Sequence, residues 1–322
     1  MRPTPQVADW LLDSDPSIRW QVLRDLLDAP EPQWSIERDR VATEGWGARL
    51  LSHQDPDGQW ARGAFFPADL TRELYEAEGQ PWTATAWSLA QLREFGLPPD
   101  SEPARRTVEL VGANARWDHD GQPYWEGEVE ECINGRTVAD GAYFGVDVSP
   151  IVERILGERM ADGGWNCERE RGSTRSSFDS TINVLEGLLE YESAGHGTPA
   201  TRLARESGEE YLLRRGLFRR LTTGEPADAD YLAAHYPTRW RYDVLRALDH
   251  FRAASRLTGT PPDDRLSDAI DLLRARQSDD DTWPLDGTPR GRVWFSIEET
   301  GRPSRWITLR AARVLRWWDE KS

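Results

Sequence analysis

Apolar residues along this chain recur at spacings of three and four, as in Val184, Leu185, Leu188 and Leu189, and no stretch alternates in the way a half-buried strand does. The pattern predicts an all-α chain. Two short phrases punctuate it. The first is Gln54-Asp55-Pro56-Asp57-Gly58-Gln59-Trp60, which returns as Arg159-Met160-Ala161-Asp162-Gly163-Gly164-Trp165 and as Gln277-Ser278-Asp279-Asp280-Asp281-Thr282-Trp283, with a degenerate copy from Val111 to Trp117. The second joins an aromatic residue to a Thr three later and a Leu seven beyond that: Trp82/Thr85/Leu92, Phe178/Thr181/Leu188 and, with the aromatic one place closer, Trp306/Thr308/Leu315. Trp240/Asp243/His250 follows it with polar substitutions, Cys132/Gly135 carries its first half, and Trp20 opens a similar segment.

Self-similarity at intervals of tens of residues marks stacked supersecondary units. One set of helices is expected near 17–29, 82–96, 131–144, 176–192, 238–257 and 304–318, each opening with the aromatic phrase. A second set is expected between them, near 34–53, 101–113, 148–160, 199–215 and 264–276, giving short αα-hairpins. In the first phrase Gly58 and Gly163 supply the positive φ that stops a helix, Asp57 and Asp162 hydrogen-bond nearby amides, and Trp covers the helix end. The third copy carries Asp281 where glycine is expected. The polar loops 115–130, 215–237 and 283–303 are long enough to suggest function, and should gather at one pole.

With 322 residues the chain can bury a large core, and a formal charge of -16 repels phosphate backbones and anionic headgroups. Nucleic acid and membrane insertion are therefore not expected. No charged-then-apolar leader and no run of about 18 apolar residues is found, so a cytoplasmic location is the expectation. Cys132 and Cys167 are too few for a disulfide framework, which leaves free thiols or a shared ligand set.

The Gln-x-x-Asp-Gly-x-Trp phrase resembles the QW motif of the terpenoid cyclase and protein prenyltransferase superfamily. The resemblance covers most of the chain, and implies a single α/α toroid over 1–322, about five to six hairpins, with the first helix set ringing a cavity and the second enclosing it. It is similar to single-domain squalene cyclase-like and prenyltransferase-repeat proteins. The family's chemical motifs are missing. No Asp-x-Asp-Asp string occurs; Asp228-Ala229-Asp230-Tyr231 stops one acid short, and Asp279-Asp280-Asp281 belongs to a turn. Asp263-Asp264-Arg265-Leu266-Ser267-Asp268 lacks the spacing of the magnesium-binding Asp-Asp-x-x-Asp, and Val138-Ala139-Asp140-Gly141-Ala142-Tyr143 has Ala142 where protein prenyltransferases place a zinc-binding cysteine.

Helix openings pointing into a cavity would bring Trp82, Phe178, Trp240 and Trp306 together as an aromatic lining, suited to cations and equally to plain packing. Asp140, Asp179 and Asp243 are the candidate proton donors, because a buried carboxyl with a raised pKa can act as an acid. Arg239 beside Trp240 and Arg305 beside Trp306 are candidate grips for a carboxylate or phosphate. Cys132, Cys167 and His235, with a carboxylate such as Asp179, form a candidate zinc set without any supporting spacing. The leading expectation is a protein that binds an apolar, isoprenoid-like small molecule and rearranges it by acid catalysis. The alternatives are a non-catalytic ligand-binding or scaffold toroid and a zinc-dependent enzyme.

Overall fold

The computed structural model describes residues 3–320, and among them regular structure is helical, with isolated β-bridges and no strand. In chain order the α-helices are α1 (Pro5–Leu12), α2 (Pro16–Asp25), α3 (Glu31–Asp39), α4 (Gly45–Leu51), α5 (Arg72–Glu78), α6 (Thr85–Phe95), α7 (Glu102–Asn114), α8 (Glu131–Tyr143), α9 (Ser149–Gly157), α10 (Phe178–Tyr191), α11 (Pro199–Leu213), α12 (Val244–Thr258), α13 (Ser267–Ala275) and α14 (Arg305–Asp319). No helix among the described residues is long and apolar enough to cross a membrane.

Two kinds of helix follow from burial. Helices α7 and α11 bury one stripe, Ala104, Thr107 and Val111 in the first and Ala204, Gly208 and Leu212 in the second, as expected where the other face meets water. Helices α8 and α10 are buried almost all round, including polar Asn134, Thr137, Ser180 and Asn183. The deeply buried helices touch in sequence: α2 meets α6, α6 meets α8, α8 meets α10, α10 meets α12, α12 meets α14, and α14 returns to α2. One continuous apolar core joins Val7 and Leu11 to Leu315 and Trp317. The α8–α10 contact is the most intimate, because two glycines face each other. A Cβ on Gly187 would lie 2.3 Å from the Gly135 carbonyl oxygen, and one on Gly135 would lie 2.5 Å from that of Asn183.

The two phrases of the sequence are parts of one device. In each full copy the Trp indole N–H donates to the carbonyl ten residues earlier, at the end of the preceding helix: Trp60 to Leu50 at 2.9 Å, Trp165 to Ile155 at 2.8 Å and Trp283 to Leu273 at 2.8 Å. The backbone N–H of the same Trp donates to the Thr of the next opening phrase: Trp60 to Thr85 at 3.1 Å, Trp165 to Thr181 at 3.1 Å and Trp283 to Thr308 at 3.0 Å. Each Trp thus ties the end of α4, α9 or α13 to the start of α6, α10 or α14. Gln54 adds a bond to Thr107 of α7 at 3.0 Å. The degenerate copy does not do this; the Trp117 indole donates to Tyr124 instead.

Several boundaries differ from expectation. Helices α6 and α12 begin later than 82 and 238, because Trp82 gives its N–H to the Arg292 carbonyl, Arg239 is held at φ 55, and Asp243 is the extended N-cap of α12. The helix expected over 34–53 is broken into α3, a 3-10 turn at Arg40–Ala42 and α4, which opens on Gly45 at φ 64. Short α1 and α5 were not anticipated.

Candidate functional site

The buried helices enclose a cavity of about 250 Å³ to which all six contribute: Trp20, Gln21 and Arg24 from α2, Arg93 and Glu94 from α6, Tyr143 from α8, Glu186, Leu189 and Glu190 from α10, Arg246, Asp249, His250, Arg252 and Ala253 from α12, Trp306, Arg310 and Arg313 from α14, plus Thr238. Of the expected aromatic lining Trp82, Phe178 and Trp240 are absent and Trp306 is present, joined by Trp20 and Tyr143. Most of the wall is charged, with six guanidinium groups against four carboxylates. The helices place these groups at intervals of three or four, as in Glu186 and Glu190 or Arg310 and Arg313, so each pair projects from one face.

The charges meet across helices and, at Arg252–Asp249 and Arg24–Asp25, within one. Arg246 forks onto Glu186 at 2.7 and 2.6 Å, Arg93 donates to Asp140 at 2.8 Å and lies 3.9 Å from Glu190, and Arg310 lies 3.7 Å from Glu94. Asp249 is shared by Arg252, at 2.7 Å, and Arg313, while Asp25 receives Arg24 at 2.8 Å and Arg313 at 3.3 Å. Burial pushes Asp25, Asp249 and Glu186 up, yet the arginines around them outweigh it and hold all three below the usual carboxylate range. For Asp140 and Glu190 the balance reverses: burial dominates over Arg93 and keeps both carboxyls above it. The Arg310 Nε and the Trp306 indole N–H have no hydrogen-bond partner among the described residues.

The three candidate acids share no partner. Asp140 lies behind the cavity wall on Arg93. Asp179 accepts from the Tyr242 N–H at 2.7 Å and from the Tyr231 hydroxyl at 3.3 Å, and Asp243 caps α12 through the Arg246 N–H at 2.7 Å and takes the His235 N–H at 3.4 Å. Burial raises both carboxyls, but neither lines the cavity. Among the candidate binding residues, only Trp306 lines it, stacked on Tyr236 at 4.5 Å. Phe178 packs among Tyr211, Tyr231 and Tyr242, and Trp82 meets Trp87 edge-on at 4.7 Å with Trp240 alongside. Arg305 reaches the Trp10 and Asp13 carbonyls at 3.1 and 3.0 Å and covers the Trp10 ring, a tether between chain ends. Arg239 lies 5.6 Å from the Trp82 ring centre.

Cys132 and Cys167 do converge, and the third group beside them is Glu130, not His235. Ligand atoms of the three lie within 4.8 Å of one another, with Cys132 Sγ 3.6 Å from Glu130. The hydrogen bond with Cys132 pulls the Cys167 thiol down to about 7. Two thiols and a carboxylate are zinc donors that leave a fourth position open. His235 is held elsewhere, by the Asp243 carboxylate and a bridge to Gly287.

The residues missed at the sequence level are the charged lining, chiefly Arg93, Glu186, Glu190, Arg246, Asp249, Arg310 and Arg313. Their signal was present: charges at helical spacing inside segments otherwise apolar all round. His250, the last residue of the polar-substituted phrase, is buried at the cavity wall and bonded to Glu209 at 2.9 Å. No family model matches the chain, and no curated protein matches it.

Proposed function

We propose that α2, α6, α8, α10, α12 and α14 are the inner ring of an α/α toroid of the terpenoid cyclase and prenyltransferase type, and that its lumen binds a small molecule with an anionic head. The unbroken circuit of helix contacts and the Trp–Thr ties between successive helices support the ring. The observation that carries the ligand class is the cavity wall, where six arginines face four carboxylates and Arg310 keeps an unpartnered N–H. A bare hydrocarbon would offer nothing to the unpartnered Arg310 Nε and Trp306 N–H, whereas a diphosphate or carboxylate takes up guanidinium donors in pairs. An isoprenoid substrate therefore enters this lumen head-group first. Glu190 lines the lumen beside Arg93, is inclined to keep a proton by burial, and supplies the acid for a cyclase- or isomerase-type reaction, while Asp140 holds Arg93 from behind the wall. In the non-catalytic alternative the same wall binds without turnover.

Calorimetric titration with a prenyl diphosphate and the matching prenyl alcohol tests the assignment. The diphosphate is expected to bind and the alcohol not to, and Arg310→Gln should weaken the diphosphate about tenfold or more, equivalent to about 1.4 kcal/mol. Equal affinity for both molecules would remove the basis for an anionic ligand. Product analysis after incubation separates the enzyme from the binding protein.

A further inference from the structure

Between the aromatic cluster and the loop above it lies a second, much smaller niche, of about 20 Å³, lined by Arg239, Trp82, Trp87, Ser88 and Phe295 among others. Arg239 is 8% exposed, and its guanidinium makes no hydrogen bond or ion pair with any described residue. Arg136 is equally buried; it donates to the Arg239 carbonyl at 2.5 Å and to Asn183 at 3.4 Å, has no carboxylate in ion-pair reach, and leaves its Nε unpartnered. The Ser88 hydroxyl is likewise buried without a partner. Two positive charges thus lie together with no carboxylate in ion-pair reach, opposed only at longer range by Glu94 and Asp140. The π faces of Trp82 and Trp87, at 5.6 and 5.2 Å, offer about 0.5–2 kcal/mol each, against several kcal/mol for each desolvated ion.

We propose that this niche is a binding site for one monatomic anion of chloride size, held by the Arg239 guanidinium and the Ser88 hydroxyl, with Arg136 adding its charge from behind. The volume points to the class: about 20 Å³ takes roughly one water-sized guest, so a monatomic anion fits as the niche stands, whereas phosphate, sulfate or a carboxylate metabolite would have to widen it. Water would fill the space and leave the charge unbalanced. The site does not depend on the proposed occupant of the lumen, since neither Arg239 nor Arg136 lines the larger cavity.

Thermal unfolding is measured in chloride and in gluconate, an anion too large for the niche, mixed at constant ionic strength. The wild type should gain a few degrees in Tm along a saturating curve in chloride, and Arg239→Gln should lose that dependence while folding normally, because it removes a buried charge. Bromide soaked into wild-type crystals should give an anomalous peak between Arg239 and Ser88, a readout that needs no variant. A wild-type Tm indifferent to the exchange, an undiminished chloride response in Arg239→Gln, or an empty niche in the bromide map would each overturn the assignment.

Discussion

The openings of the buried helices and their bodies carry similar residue types and use them in opposite ways. At the openings polar groups are consumed by backbone. Ser177, Asp243 and Ser304 cap α10, α12 and α14, Thr85, Thr181 and Thr308 receive tryptophan N–H groups, and Glu298 takes the Arg305 N–H at 2.6 Å. In the bodies, charged side chains meet other side chains around the cavity, as Arg246 meets Glu186 and Arg313 meets Gln21 and Asp249. The difference teaches that a carboxylate at a helix start is first a cap, and that chemistry is better sought where side chains face each other and leave some donors unused.

The largest expected effect tests the openings as structure. Trp165 is fully buried, and its two N–H groups tie α9 to α10. Trp165→Ala should cost about 3–5 kcal/mol in urea unfolding through the cavity it leaves and the bonds it removes. A loss under about 1 kcal/mol would mean that the recurring turns are decoration and that packing elsewhere holds the helices together.

Legibility divides along the same line. The helix class, the repeating turn and the positive φ required at Gly58 and Gly163, found at 89° and 108°, were visible because each is set by neighbours a few residues away. The Trp–Thr tie was not, although both halves were noticed, because its separation is 25 residues in two copies and 16 in the other. The charged cavity was less visible still. Its groups come singly or in pairs from six helices, and the Arg313–Gln21 bond joins positions 292 apart, so no local spacing announces it. Two of the three candidate acids, Asp179 and Asp243, stand at helix starts, where motif and polarity coincide. Those are the positions most often claimed by capping.

A smaller effect sharpens this point at Asp179. Asparagine can keep both contacts there, accepting from the Tyr242 N–H and donating to the Tyr231 oxygen. Burial holds the Asp179 carboxyl above its ordinary 3.8, so the native state keeps that proton more tightly than the unfolded chain does. The stability it contributes is full below 3.8 and is lost as pH rises through the folded value. Urea midpoints followed from acid to neutral pH should therefore fall more in the wild type than in Asp179→Asn, with prenyl diphosphate affinity unchanged. A folded variant that loses ligand binding or turnover would move Asp179 from the openings to the site and dissolve the contrast.

The smallest effect concerns the third turn. Asp281 stands at φ 62, where the other full copies have glycine, and its side chain is exposed, with a 3.4 Å contact from Gln277. A left-handed conformation costs an L-residue about 1–2 kcal/mol, less for Asp, and glycine returns part of the gain through its freer unfolded chain. Asp281→Gly should therefore stabilise by about 0.5 kcal/mol, read as a small rise in urea midpoint at unchanged slope. Asp281 also borders a largely apolar cavity of about 250 Å³ with Val7, Trp283 and Ala312. If the glycine variant is instead destabilised, the carboxylate is contributing something that its turn does not require, and one opening would have joined the functional side of the comparison.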